Sequence, residues 1–303
     1  MSNSGTDAYQ AEHTSVLLDE VLELLAPQRG RVYVDGNLGL GGHAGAILEK
    51  SSPDGRVIGF DWDREALEEA GKRLALYGER AVCVRRNFTE IKEVLADLGL
   101  AGVDGILLDL GLSSLQLDGG GRGFSFRGSE PLDMRMDDRS SETAADFLNK
   151  LSKEELADIF YYYGEERQAR RIASAVVEAR VRKPFETTDQ LVELIEKSIP
   201  RKFHPKKINV ATKAFQGLRI AVNRELDNLA GILEVGSELL NRGGRFCVIS
   251  FHSIEDRMVK RAFLEDNRLT VLTRRPVRPT EEECLRNPRA RSARLRVAEA
   301  VLS

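Results

Sequence analysis

The sequence predicts an α/β fold: a doubly wound, Rossmann-like sheet interrupted by a helical insertion. Three observations lead there. From residue 31 to residue 110, short apolar runs alternate with helical stretches. Three of those runs end in an aspartate, and the first is followed by a glycine-rich turn. A long strandless stretch then separates this part from further apolar runs near the C-terminus.

The elements follow in order. Residues 14 to 25 have helical periodicity, with Leu17, Val21 and Leu25 on one face. A first strand, 31 to 35, ends at Asp35 and turns through GNLGLGGH into a helix from about 44 to 50. After the turn residues SSPDG comes a second strand, 57 to 61, ending at Asp61. A helix over 64 to 77, a third strand over 81 to 85, a helix over 89 to 98 and a fourth strand over 105 to 110 complete the alternation. Short apolar strands separated by helices imply a buried parallel sheet, and right-handed crossovers wind it on both faces.

After Asp109 the rhythm breaks. Residues 111 to 136 are glycine-rich and irregular, longer than an ordinary connection. Helices follow, two of them opened by capping boxes at Ser152–Glu155 and Thr187–Gln190, with an Arg-rich helix over 165 to 182 between them. A single long helix, roughly 209 to 241, is expected to lead back to a fifth strand at 245 to 250, with two more strands near 269 to 274 and 293 to 299. The expected division is a discontinuous core, 1–113 with 206–303, around a loop and helical insertion, 114–205, for substrate recognition.

Bulk properties narrow the classes. With 42% hydrophobic and 31% charged residues over 303 positions, the chain can bury a large core. The net charge of -3 does not announce a nucleic-acid partner, so one would have to be met by local basic patches. Cys83, Cys247 and Cys284 are far apart and form no metal or disulfide spacing, a usage that suits a reducing cytoplasm. The polar N-terminus lacks the pattern of a signal peptide, and no apolar run approaches the roughly 20 residues that span a bilayer. No metal and no membrane are therefore expected. The sequence does not set the oligomeric state; a homodimer is compatible with it.

In an open α/β sheet, ligands sit outside the carboxyl ends of the strands. Asp35, Asp61 and Asp109 are placed there, and the glycines of the first turn let a ligand approach the next helix's N-terminus. Gly39, Gly41 and Ala44 nominally satisfy a dinucleotide fingerprint, with Asp61, 20 positions after Gly41, as the ribose acid. That reading would make the chain a nicotinamide-dependent oxidoreductase. Charge argues otherwise. A pyrophosphate is repelled by several acids, whereas S-adenosylmethionine brings a sulfonium, an ammonium and no phosphate. On this reading Asp35 faces the methionine end, Asp61 the ribose, and Asp109 the adenine or the reaction centre. The plain alternative is that each acid caps a following helix. Likewise His43 fits a first helical turn, Phe88 a core position and Gln116 loop surface.

The blocks HTSVLLDEV, DGNLGLGGH, DLGLSSLQLD, GFSFRGSEPLDMRMD, FQGLRIAVNREL, SFHSIEDRMVK and NPRARSARLR strongly resemble, in collinear order from about 12 to 300, the RsmH (MraW) family of bacterial 16S ribosomal RNA cytosine N4-methyltransferases. The resemblance implies a class I methyltransferase sheet with a helical insertion. It implies S-adenosylmethionine contacts at Gly41, Gly42, His43, Asp61, Phe88, Asp109 and Gln116. It also implies a cytosine of the decoding region, within the small subunit, as substrate.

The transfer is expected to be an in-line displacement by the cytosine amino group, whose delocalised lone pair benefits from an acceptor for its N–H. Asp109 is the first candidate for that acceptor, with His252 and Ser253 beyond the fifth strand as second candidates. The chain lacks the Asp/Asn-Pro-Pro-aromatic motif of many exocyclic-amine methyltransferases and has Asp109-Leu110-Gly111-Leu112 instead. The aromatic that stacks the extruded base must then come from elsewhere; Phe124, Phe126 and Phe251 are candidates, and each fits a loop anchor equally well. Arg135 and two basic clusters are expected to meet RNA: Arg201, Lys202, His204, Lys206 and Lys207, and Arg286, Arg289, Arg291, Arg294 and Arg296. A third class, a non-catalytic RNA-binding or assembly protein, shares every feature except turnover.

Overall fold

The computed structural model describes residues 15–118, 121–126 and 128–301. His13 and Thr14, which open the first block above, lie outside them. The chain divides into two compact units. One runs up to Gly111 and resumes at Leu229; the other is Leu112–Asn228. The second boundary lies beyond the 205 expected from sequence.

The first unit holds a seven-stranded sheet. Its strands are β1 (Val32–Asp35), β2 (Arg56–Phe60), β3 (Ala81–Val84), β4 (Val103–Asp109), β5 (Leu240–Ser250), β6 (Leu269–Val271) and β7 (Arg294–Ala300), in the order β3-β2-β1-β4-β5-β7-β6. The first five pair in parallel, and β7 runs antiparallel to both of its neighbours. The strand order reverses between β1 and β4, so the ligand crevice of such a sheet lies at Asp35 and Asp109. Helices α1 (Leu18–Leu25), α2 (Gly42–Lys50), α3 (Arg64–Leu74) and α4 (Ile91–Asp97) connect or flank the early strands; α12 (Ser253–Glu265) and α13 (Glu281–Arg286) follow β5. Two buried clusters contain the sheet residues. One gathers Val34, Ile58, Phe60, Ile106 and Leu108 with the apolar side of α4; the other gathers Tyr33, Val57, Leu107 and Cys247 with α1 and α2. Alternate residues of β1, β2 and β4 feed opposite clusters, as the period of two requires.

The second unit contains α5 (Ser114–Asp118), α6 (Ala144–Lys150), α7 (Lys153–Asp158), α8 (Ala169–Arg180), α9 (Thr188–Ser198) and α10 (Thr212–Asn223); α11 (Glu225–Val235) runs on into the first. The expected capping contacts are present: Ser152 N donates to Glu155 Oε2 at 2.8 Å, and Thr187 N to Gln190 Oε1 at 3.3 Å.

Three expectations change. The single helix over 209–241 is two helices, broken at Arg224 with φ 50°. The break has a tertiary cause. The Asn223 amide accepts from Met136 N at 2.7 Å and donates to Met134 O at 2.7 Å, so it anchors the preceding loop. The α-helix after β2 stops at Leu74 and gives way to a 3-10 segment over Ala75–Arg80, interrupted where Gly78 leaves helical geometry. The Arg-rich helix begins at Ala169, after a π-turn over Ile159–Tyr163.

Candidate active site

The glycine-rich turn is built by exclusion as much as by attraction. Gly41 has φ 75°, a conformation that costs any side chain, and a Cβ there would lie 3.2 Å from Leu74 Cδ1. A Cβ on Gly42 would run into Ser15 Oγ. Gly39, with φ 52°, donates its N–H to Asp61 Oδ2 at 2.9 Å, which fastens the turn to the end of β2.

The three strand-end acids carry different burdens. Asp35 is buried and accepts N–H donations from Asn37, at 3.2 Å, and from Ala44 in the first turn of α2. The helix-capping alternative therefore describes part of its work. Asp61 accepts from Gly39 N and, at 2.9 Å, from Asp63 N. Trp62 N donates to it as well, so three of its roughly four lone-pair positions are answered by the backbone and one stays open. Capping of α3 falls to the neighbouring Asp63, which accepts from Glu65 N at 3.1 Å. Asp109 caps nothing: its Oδ1 is buried and has no hydrogen-bond partner among the described residues.

Burial pushes Asp35 up to about 7, with the Asp61 charge adding to it. Burial likewise pushes Asp61 up to about 7, with Asp63 adding. Asp109 is held well above the carboxylate range by burial, then by Asp35 and Glu255. The charges that raise all three are carboxylates, so a cation entering this group relieves each acid.

His43 is buried in the first turn of α2. Its Nε2 lies 3.0 Å from the Val16 carbonyl and its Nδ1 3.6 Å from Asp109 Oδ2. If Nε2 holds the proton for the carbonyl, Nδ1 presents a lone pair to Asp109, an arrangement that suits a protonated carboxyl. Phe88 is mostly buried in the core cluster, and its Cβ lies 3.1 Å from where a Gly36 Cβ would stand. It thus backs the residue after Asp35.

His252 and Ser253 open α12. His252 Nδ1 accepts from Glu255 N at 3.5 Å, while Glu255 Oε2 accepts from Phe251 N at 2.9 Å and His252 N at 3.3 Å. His252 Nε2 is buried 3.0 Å from Glu255 Oε1. This reciprocal cap occupies His252 with shaping the end of β5. Of the three candidate aromatics, Phe251 belongs to the first unit, where a Cβ on Gly111, two residues after Asp109, would be 3.3 Å from its ring. In the second unit, Phe124 is buried under the Arg122 guanidinium and Phe126 meets Phe215 edge-on at 5.8 Å. Both are engaged within their own unit. Gln116, also there, is buried on α5 and accepts from Ser113 N at 3.0 Å.

The basic candidates separate too. Arg135 forms a two-pronged pair with Asp133, both contacts at 2.7 Å, and donates to Ser140 O at 2.6 Å, so its donors serve its own loop. Arg296 is buried and donates to Asp256 at 2.6 Å, Arg294 joins the same carboxylate at 3.2 Å, and Arg286 pairs with Glu282 at 3.1 Å. Arg294 and Arg296 are thus tied down at the end of the sheet, whereas Arg286 and its partner remain exposed. Arg201, Lys202, Lys206 and Lys207 are exposed. Sequence reasoning missed Asn37, whose Oδ1 is a second buried acceptor with no partner among the described residues, and Glu255, which organises the β5 end. For Asn37 the signal was its place inside the glycine turn; for Glu255 it was the third position after a helix cap.

A cleft of about 650 Å³ between α11 and α12 is lined by Leu233, Met258 and Arg261 among others, but by none of the candidate site residues. Its α12 residues lie toward the helix end away from His252. The described residues hold no cluster of side chains suited to a metal ion. No helix among them is long and apolar enough to cross a membrane.

Residues 10–301 match the model of the MraW methylase family. The chain belongs to the MraW methylase family. Ribosomal RNA small subunit methyltransferase H from Desulfotalea psychrophila is 57% identical, covering 95% of this chain and 98% of that protein. The proteins of the same name from Geobacter sulfurreducens and Syntrophotalea carbinolica are 53% and 51% identical over 95% and 94% of this chain, and 98% and 96% of their own length. Membership in a methylase family sets the nicotinamide reading aside, in agreement with the charge of the crevice.

Proposed function

We propose that this MraW-family chain transfers a methyl group from S-adenosylmethionine to the N4 amino group of a cytosine in the decoding region of 16S ribosomal RNA, in the cytoplasm and on the small subunit. One observation carries the chemical part: three carboxylates at the strand ends, two of them pushed to about 7 and the third well above its usual range, in a crevice whose mutual charges are all negative. The cofactor supplies a sulfonium methyl as electrophile and an ammonium as a second cation. The residues present fit it. Asp61 offers its open lone-pair position to a ribose hydroxyl. Asn37 Oδ1 and Asp35 offer negative potential to the ammonium. The N-terminus of α2 at Gly41, Gly42 and His43 offers N–H groups to the carboxylate. Phe88 supports the turn from behind. Gln116 is carried as a ligand by its motif alone.

With the cofactor bound, its methyl would go to the amino nitrogen and its sulfur would leave as a thioether, and the chain would have to accommodate the one N–H proton that departs. Asp109 ionises beside a cation, and its Oδ1 then accepts that N–H, which helps the nitrogen pyramidalise. His43, 3.6 Å from the other oxygen, fixes the carboxyl and provides a place for its proton. Phe251 supplies the stacking face. The RNA part rests on family membership and on the exposed cations of the second unit. A homodimer is the assembly to examine, by light scattering.

The deciding experiment transfers labelled methyl to whole small subunits and to naked RNA, followed by nucleoside analysis. The label should appear in N4-methylcytidine; no incorporation would leave the non-catalytic assembly reading. Asp109→Asn should cut turnover by about 100-fold or more. A variant that keeps both cofactor affinity and turnover overturns the assignment.

A further inference from the structure

One exposed turn of the second unit combines two kinds of contact that unpaired RNA offers. Where α9 ends, Ile199 is buried and the chain makes a single 3-10 turn over Arg201–Phe203. The turn is held by its own hydrogen bonds: Phe203 N to Pro200 O at 2.8 Å, His204 N to Arg201 O at 3.1 Å, and the His204 ring to Ile199 O at 2.9 Å. Phe203 projects from it with 52% of its surface in water, and Lys202 Nζ stands 5.0 Å from the ring centroid. Arg201, Lys202, Lys206 and Lys207 surround it without a carboxylate partner among the described residues. Arg171 of α8 donates to Ser198 O at 3.5 Å and brings a further guanidinium to the end of α9.

A single exposed phenylalanine is ordinary, and a run of lysines is usually a solvated face. Their combination is not explained by either. The turn, closed by its own hydrogen bonds, presents a half-exposed apolar ring amid four cations that form no ion pairs among the described residues. A ring alone would suit an apolar partner, and cations alone would suit any phosphate backbone. A ring with phosphate-binding groups on both sides in sequence suits a strand whose bases are unstacked.

We propose that residues 201–207 form a single-strand RNA clamp in which Phe203 stacks on an unpaired base and Arg201, Lys202, Lys206 and Lys207 contact the flanking phosphates. This rests on the RNA-substrate reading above and adds the form of the RNA: an unpaired segment outside the reacting cytosine. A duplex keeps its bases stacked on one another and gives the ring nothing to cover.

The test uses the full chain and a fluorescein-labelled, mixed-sequence 12-nucleotide RNA, single-stranded or annealed to its complement. Phe203→Ala should weaken single-strand binding by about 5- to 100-fold and leave the salt dependence unchanged. Four phosphate contacts to a single strand give a log–log salt slope of about -3, and Lys206→Ala with Lys207→Ala should flatten it by about 1.4. Phe203→Trp should retain affinity, and the added emission should be quenched as single strand saturates it. Because Phe203 is exposed, Phe203→Ala should keep the wild-type melting temperature. The clamp is overturned by an affinity within twofold of wild type for Phe203→Ala, by unquenched emission, or by equal losses on duplex and single strand. It is also overturned, in favour of a protein partner, if Phe203→Ala weakens binding to intact small subunits but not to the oligonucleotide. Methyl transfer by the wild-type chain separates the two ideas. Transfer with an unaffected Phe203→Ala variant sinks the clamp alone, whereas no transfer and no RNA binding by wild type sinks the underlying reading.

Discussion

Cofactor affinity should rise steeply between pH 6 and pH 8. The perturbation is pH itself, acting on Asp35 and Asp61, both pushed up to about 7 by burial. An acid at 7 is about one-tenth ionised at pH 6 and about nine-tenths at pH 8. A cationic ligand selects the ionised form, so each acid contributes about tenfold to affinity across that window. Asp61 raises Asp35, so the two lose protons as a pair, and the expected gain lies between about 10- and 100-fold. Isothermal titration calorimetry in buffers of different ionisation enthalpy should show net proton release at pH 6.5 that declines above pH 8 as far as these two acids are concerned. Asp109, likewise raised by burial, adds to the release. The ligand-free fold responds in the opposite sense. Both acids bind protons more tightly folded than unfolded, so their contribution is fully present below about pH 4 and is lost as pH rises towards about 7, by at most about 4 kcal/mol for each acid. The cofactor should accordingly raise the melting temperature more at pH 8 than at pH 6. A flat affinity from pH 6 to pH 8 without proton release would refute the cation-cradle argument.

Three further outcomes follow from single contacts. Gly41→Ala places a side chain at φ 75° against Leu74 and should cost about 1–3 kcal/mol in chemical denaturation, with weaker cofactor binding; an unchanged midpoint contradicts the role given to the turn. Asn223→Ala removes the acceptor for Met136 N in a buried position and should destabilise the fold by about 1–3 kcal/mol, against a loss under 0.5 kcal/mol if the anchor is incidental. Phe251→Ala should lower methylation of small subunits while cofactor affinity stays within about threefold; equal losses in both would place the ring at the cofactor instead of the base.

The parts of this molecule that are legible in the sequence are the ones made by local patterns. Strands β1, β2 and β4 are apolar runs closed by aspartates, and the turn after Asp35 advertises its backbone through glycine. The capping boxes at Ser152 and Thr187 need only three residues to specify them. What the sequence hides is set by partners far along the chain. The run from 209 to 241 has continuous helical periodicity, yet Asn223 spends its amide on Met134 and Met136, and the helix breaks at the next residue. Arg294 and Arg296 look like a solvated basic run because their acid, Asp256, lies some forty positions earlier. Arg135 looks available for RNA until Asp133 is seen on both arms of its guanidinium. Phe203 sits unremarked inside a basic run, and only its exposure gives it meaning.

Spacing alone makes the three acids look equivalent, and their partners distinguish them. Asp35 receives two backbone N–H groups, one from α2, and its negative charge is partly answered by the protein itself. Asp61 receives three, from Gly39 in the turn and from Trp62 and Asp63 at the start of the next segment, which fixes the carboxylate. Asp109 receives none at Oδ1, although that atom is buried. An unpaired buried acceptor costs about 1–3 kcal/mol, more if charged, and nothing in the neighbouring backbone offsets it. A purely structural acid at the end of β4 would gain by accepting from the chain, as Asp35 and Asp63 do. The asymmetry therefore sets Asp109, whose Oδ1 has no partner among the described residues, apart from Asp35 and Asp61 as the acid with most left for a ligand. That leaves the acid with the fewest protein partners at the end of β4, one of the two strands that flank the reversal.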